Sequence, residues 1–178
     1  TPQQNQSNEI GLKYRHANLN FEATVYQNDV SGFITPSTNV QSALAILRGL
    51  SLSGTWQIGA SQMSASYDYA DPRTQPNNLR LLRIARHVTN FRIQHQFSDV
   101  SVFSELKWSS DREDNDLSFT GRDKLAAYRL LNVGANWQIS PQWALLVRIN
   151  NLSNTHYVLA NNYSTPGRNA FASLSWKY

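Results

Sequence analysis

Along most of this chain apolar and polar side chains alternate with a period of two, and no apolar run reaches the roughly 18 to 20 residues that a membrane-crossing helix needs. A period of two means strands, because successive side chains of an extended backbone point to opposite faces. Trp143, Leu145, Val147 and Ile149 oppose Ala144, Leu146, Arg148 and Asn150. In the last stretch Ala170, Ala172, Leu174, Trp176 and Tyr178 oppose Asn169, Phe171, Ser173, Ser175 and Lys177. Upstream, Ile10, Leu12 and Tyr14 oppose Glu9, Gly11, Lys13 and Arg15, and Met63, Ala65, Tyr67 and Tyr69 oppose Ser64, Ser66 and Asp68. Burying Lys13, Arg15 or Arg148 in a dry core would be costly, so the second face must meet water.

The alternation breaks at turn-rich clusters. It predicts nine strands, at 8–16, 19–34, 43–57, 62–71, 80–97, 101–110, 125–139, 143–151 and 167–178. Their connections are alternately tight (Ala17-Asn18, Ile58 to Ser61, Ser98 to Val100, Ser140 to Gln142) and long (Thr35 to Ser42, Pro72 to Leu79, Asp111 to Lys124, Leu152 to Pro166). Short turns on one rim and long polar loops on the other are the pattern of an all-β, antiparallel transmembrane β-barrel, the long loops extracellular. A soluble β-sandwich binding module has no reason to segregate them. Trp56, Phe97, Trp137, Trp143, Trp176 and Tyr178 sit near the tight turns or the C-terminus, as in an aromatic girdle at a membrane interface, with Phe33, Tyr67, Tyr69 and Trp108 available for a second one. A mean hydropathy of −0.48 is compatible, because a barrel wall averages its lipid and water rows. Antiparallel barrels close with an even number of strands, so nine imply that the barrel is incomplete, with terminal strands that run the same way and cannot pair antiparallel.

Composition removes other classes. There is no cysteine, which excludes disulfides, thiolate metal sites and cysteine nucleophiles. The net charge of +4 comes from Lys and Arg spread along the chain without a run of five, so no nucleic-acid partner is expected. His16, His87, His95 and His156 lack zinc spacing, and no phosphate-binding loop or nucleophile elbow occurs, so neither a metal, a cofactor nor an enzyme activity is expected. An outer-membrane hydrolase would need a pair such as His87 and Asp68, which the strand phase places on different faces. The acids between Asp111 and Asp123 offer hard oxygen ligands for calcium but lack an EF-hand pattern, which makes a solvated polar loop the expectation. Residues 1–7 lack the charged and apolar regions of a signal peptide, as in a mature or truncated chain.

The segment Arg148-Ile149-Asn150-Asn151-Leu152-Ser153-Asn154-Thr155-His156-Tyr157, then Tyr163-Ser164-Thr165-Pro166-Gly167-Arg168 and a terminal aromatic, resembles the closing signature of TonB-dependent receptors. That signature reads Asn-Leu-Phe-Asp-x-x-Tyr, Tyr-x-x-Pro-Gly-Arg and a last strand ending in an aromatic; Ser153 and Asn154 stand where the family has Phe and Asp. Tyr26 to Ile34, Ser66 to Asp71 and Leu81 to Arg86 are similar to segments of the cobalamin-receptor branch. The resemblance implies an outer-membrane chain, with residues 1–178 forming the C-terminal strands of a 22-stranded barrel whose N-terminal plug and earlier strands lie outside it. It implies active import of cobalamin or a related corrinoid, with a ferric siderophore or haem as the alternative cargo. The implied partners are the TonB energy-coupling protein, acting through the missing plug, outer-membrane lipid and lipopolysaccharide, and the corrinoid or other nutrient ligand. The family's calcium loops would lie upstream. Arg83, at the Leu-Leu-Arg position, and Tyr163 are the implied ligand contacts, joined by Arg112 and Asn162.

Overall fold

A computed structural model describes residues 2–34 and 41–178. In chain order the strands are β1 (Gln4–His16), β2 (Leu19–Ile34), β3 (Gln41–Ile58), β4 (Ser61–Ala70), β5 (Arg73–Gln75), β6 (His87–Phe97), β7 (Val100–Ser109), β8 (Arg112–Asn115), β9 (Arg122–Leu125), β10 (Tyr128–Gln138), β11 (Trp143–Asn150) and β12 (Asn169–Trp176). Nine of them form an antiparallel meander in the order β1-β2-β3-β4-β6-β7-β10-β11-β12. Short β5 continues the line of β4 along β3, with Ile46 opposite Arg73. β8 and β9 pair separately as a hairpin. Among the described residues there is one main sheet, with no second sheet packed on it, and β1 and β12 are its two edges.

The tight connections are where the alternation places them. Ala17, Ser98 and Gly59 adopt φ of 46°, 45° and 55°, the left-handed values that let a two-residue turn follow the twist of its flanking strands. Three expectations need correction. The strand expected over 80–97 begins only at His87, because residues 80–86 leave the sheet. The connection after Asp111 is no open loop but contains the β8–β9 hairpin, and β5 lies inside the expected 72–79 loop. The expected loop over 35–42 falls for the most part, and the Phe33 side chain wholly, outside the described residues.

Directly opposed residues share a face, so the register shows which rows run together. Leu12 faces Ala23, Ala23 faces Leu52 and Leu52 faces Tyr67. Farther along, Val102 faces Ala135, Ala135 faces Val147 and Val147 faces Ala172. Among the described residues nothing packs on this apolar face: Ile10, Leu12, Val25, Leu106, Val147 and Leu174 are all exposed. A contiguous apolar surface running across nine strands is far larger than a protein presents to water, and its fitting solvent is hydrocarbon. At the tight-turn rim the face ends in Trp56, Phe97, Trp137, Trp143 and Trp176, with Trp143 and Trp176 ring centres 6.3 Å apart. Toward the long-loop rim it ends in Tyr67, Tyr69 and Trp108, drawn together by His87, whose Nδ1 lies 2.8 Å from Tyr67 Oη. Tyr69 and His87 are paired on this face while Asp68 is opposite Val88 on the other, so the His87 and Asp68 side chains point away from each other.

The inner face is wet. Glu105 accepts hydrogen bonds from Arg92 on one neighbouring strand and from Arg148 two strands away. Both guanidinium groups lean over the buried Phe103 ring, at 4.1 and 5.6 Å from its centre. That ring lies flat across Gly134, where a Cβ would come within 2.5 Å of Phe103 Cζ and 2.7 Å of the Val147 carbonyl oxygen. Lys13 and Arg15 meet Glu22 on the same side.

An arginine therefore has opposite consequences on the two faces. In the full-length protein, Val147→Arg on the apolar face is expected to lower folding stability in lipid vesicles by about 2–4 kcal/mol. Asn136→Arg, on the wet face, is expected to change it by less than about 1 kcal/mol. Equal losses in the two variants, read from denaturant titration of vesicle-inserted protein, would contradict the assignment of faces.

Candidate functional site at the long-loop rim

Three connections meet above the upper ends of β4, β6, β7 and β10: residues 71–86, the segment carrying the β8–β9 hairpin, and residues 151–168. Their junction is Asp114, whose side chain is fully buried. Its Oδ1 accepts from Arg83 Nε at 2.8 Å and from the Asn115 amide at 2.9 Å, and its Oδ2 accepts from the Asn161 amide at 2.7 Å. Burial alone would raise this carboxyl, but the Arg83 guanidinium and the two amides outweigh it and hold Asp114 below the ordinary carboxylate range. Around it, Asn161 Nδ2 donates to the Asn115 carbonyl at 2.6 Å and to Asp123 Oδ2 at 3.2 Å. Glu113 is clasped by Arg122 at 2.8 Å and Arg80 at 3.5 Å. The acids of this segment are thus largely engaged with basic side chains and amides, unlike the solvated loop expected from composition. Among the described residues no cluster of His, Asp and Glu is placed to hold a metal ion.

Arg83 belongs to the first of these connections. Its φ of 65° is incompatible with the strand expected there, and its amide donates to the Glu113 carbonyl at 2.7 Å. Leu81 and Ala85, part of an apolar run that sequence extends from the strand, are instead buried as anchors of the loop. Arg112 lies beneath the loops and is 8% exposed. Its Nη2 donates to Ser109 Oγ at 2.7 Å, its guanidinium sits 5.3 Å over the Tyr128 ring, and its Nε has no acceptor among the described residues. Both arginines line one cavity of about 340 Å³ on the wet face just under the rim, together with Asp68, Lys107, Ser109 and Tyr128. Tyr163 and Asn162 are elsewhere on the rim. Tyr163 is 67% exposed at the top of the third connection, and Asn162, with φ of 66°, makes the bend between it and Asn161.

The signature residues that carried the family resemblance have a structural role. Asn151 is buried and left-handed, and its side chain donates to the Thr155 carbonyl at 2.9 Å and accepts from the Thr155 amide at 2.8 Å. Asn154 Oδ1 accepts from the Arg168 amide at 2.8 Å, and a Cβ on Gly167 would come within 2.9 Å of that oxygen. The two halves of the motif are therefore the two ends of one loop, fastened together. Sequence reasoning had Asp114 only as one of several acids in a solvated loop and missed Asn161, Lys107 and Tyr128; the partners that bury Asp114 lie 31 and 47 residues away.

Asp114→Ala is expected to weaken the docking of these loops by about 1–3 kcal/mol while leaving the wall folded. A nitroxide attached through Ser118→Cys, near the hairpin tip, should become more mobile in that variant. Because the native carboxyl lies below its unfolded value, its stabilisation is present at neutral pH and is lost as pH falls from the ordinary carboxylate range through the depressed one. The same label in the parent should therefore loosen on acidification and not on alkalinisation up to neutral; a label that stays immobile in Asp114→Ala would show that other contacts hold the loops.

The whole arrangement has counterparts. Residues 1–152 match the family model described as TonB dependent receptor-like, beta-barrel. The vitamin B12 transporter BtuB of Vibrio vulnificus is 23% identical over 99% of this chain, and that of Photobacterium profundum is 22% identical over 99%. The chain spans about 30% of the length of these curated relatives. Among solved structures, the copper transporter OprC superposes with a TM-score of 0.85 at 19% identity, covering 100% of this chain and 31% of that one. The ferric enterobactin receptor of Pseudomonas aeruginosa gives 0.84 at 17%, covering 99% and 31%. With the alternating wall, the two aromatic rims and this match over most of its length, the chain belongs to the TonB-dependent receptor family of β-barrels in the outer membrane of Gram-negative bacteria.

Proposed function

We propose that residues 1–178 supply the final strands of a 22-stranded, plugged receptor that imports cobalamin or a related corrinoid, driven by TonB acting on the plug. The observation that carries this reading is the end-to-end match, 99% of the chain, with vitamin B12 transporters. The rim adds chemical support. Arg83 is 42% exposed in its side chain, and with only Nε committed to Asp114 its remaining N–H groups are open to amide or phosphate oxygens of a ligand. Tyr163 offers a flat, exposed ring suited to a corrin face, with little entropy lost on contact. Arg112 and Asn162 contribute from beneath and beside them. The strands themselves do no covalent chemistry: they hold the loops, line the passage and seal it from lipid, and outer-leaflet lipopolysaccharide meets the upper aromatic rim.

Binding of cyanocobalamin to the full-length receptor, together with uptake that stops when TonB is deleted, tests this directly. Tyr163→Ala should weaken binding about tenfold, or ~1.4 kcal/mol, without altering folding, since the ring is exposed. Arg83→Ala should weaken it at least as much and also loosen the loops. Uptake of a ferric siderophore or haem, with no detectable corrinoid binding, would replace the corrinoid by that cargo.

A further inference from the structure

The apolar face carries a groove close to the long-loop rim. Register places Ile10, Val25, Leu50 and Tyr69 in one row across β1 to β4, and Asn8, Gln27 and Arg48 in the next row of the same face, one pleat nearer the rim. Both rows line a cavity of about 890 Å³. Its floor is the backbone of the row between them, Glu9, Tyr26 and Gly49, because the side chains of an intervening row turn to the opposite face. Tyr26 folds over Gly49 on that wet side, within 2.2 Å of where a Cβ would stand. The lower wall of the groove is thus apolar and ends at Tyr69 of the upper aromatic rim, whereas the upper wall is polar and ends at Arg48. Arg48 is exposed, and its guanidinium has neither an ion pair nor a hydrogen bond among the described residues. The acids near it are engaged elsewhere: Asp71 by Arg73 at 2.8 Å and Arg86 at 3.0 Å, and Asp29 by the Gln27 amide at 3.0 Å. An uncommitted cation directly above a greasy wall is complementary to an amphiphile, with an anionic head for the one and a chain for the other.

We propose that this groove binds the phosphorylated glycolipid of the outer leaflet, with a lipid A phosphate of lipopolysaccharide on Arg48 and an acyl chain against Ile10, Val25 and Leu50. The guanidinium presents a planar fork that matches phosphate, and Asn8 stands beside it in the same row as a further donor. Position selects this occupant. The groove opens on the face that meets hydrocarbon, which a water-borne cargo does not reach, and it lies at the long-loop rim, whereas inner-leaflet phospholipid meets the tight-turn rim. The inference rests on the reading that lipopolysaccharide meets the upper aromatic rim and deepens it by naming the place; it is independent of the cargo.

The test uses the full-length receptor purified in detergent and titrated separately with bisphosphorylated lipid A, with lipid A stripped of its phosphates and with phosphatidylglycerol, the bound lipid being counted by native mass spectrometry. Bisphosphorylated lipid A is expected to bind about tenfold more tightly than the stripped form, and Arg48→Gln to abolish that preference. Val25→Trp, which fills the groove while adding only apolar surface to the lipid face, should weaken both forms. Arg129→Gln, another exposed cation on this face but opposite Trp108 and outside the groove, should change neither. Absence of a phosphate preference, or one that survives Arg48→Gln, overturns the proposal, and so does phosphatidylglycerol bound as tightly as lipid A. Corrinoid uptake by a receptor without the lipid A preference would remove this site and leave the cargo standing, whereas the preference in a receptor that ignores corrinoids would do the reverse.

Discussion

Inside a bilayer every backbone N–H and C=O must find its partner in the protein, and this constraint governs the structure before any side chain is considered. The antiparallel ladder from β1 to β12 satisfies it for each interior strand. The same ladder fixes the phase of every residue, and a slip of one would turn Val147 inward and Arg148 into hydrocarbon. Apolar rows on the outside and charged rows on the inside are thus two readings of one register. Freed from the need to be dry, the inner face can hold the Arg92–Glu105–Arg148 bridge over Phe103, a combination that would be hard to satisfy in an apolar core.

What the wall does for the rim is to bring three connections to one height. None is long enough to bury a core of its own, and they are joined chiefly through polar groups. Asp114 can be buried there because donors come from two connections and its own hairpin at once, and the removal of any one would leave the carboxylate short of compensation. The Asn151 and Asn154 turns do the same for the third connection by tying its two ends. The result is a rim surface more pre-organised than a set of free loops, and any ligand that met it would have less order to impose.

The wall was legible because its determinant is local: the alternation of neighbours, together with turn residues such as Ala17-Asn18 and Gly59, specifies strand, face and rim without reference to distant partners. All nine wall strands follow from it, and so do the girdle positions of Trp56, Trp143 and Trp176. The misreading at 80–86 arose where the strand from His87 was extended backwards through an apolar run that lacks that alternation. Arg80 to Arg86 is an apolar-rich run punctuated by arginine every third residue, a spacing that does not follow a strand's period of two, and its apolar residues serve to bury Leu81 and Ala85 under a loop while the left-handed Arg83 ends the extended backbone. At the rim locality fails. Nothing in the order of Asp111, Glu113, Asp114 and Asp116 distinguishes the one that is buried, since the choice is made by Arg83 and Asn161. Arg112 was legible as a basic residue near the mouth, but its burial over Tyr128 depends on a fold-back over Ser109 that no spacing encodes.

That division bears on where specificity can reside. The outer face is held to apolar side chains by lipid, and the inner face along β7, β10 and β11 is occupied by its own ion pairs, which are mutually satisfied. Beneath the loops the buried Arg112 has no ion-pair partner among the described residues, and a buried guanidinium held by one hydroxyl and the face of one ring costs stability rather than adding it. The wall can carry that cost because its own stability is set by lipid and by the strand ladder, which the β8–β9 hairpin carrying Arg112 does not enter.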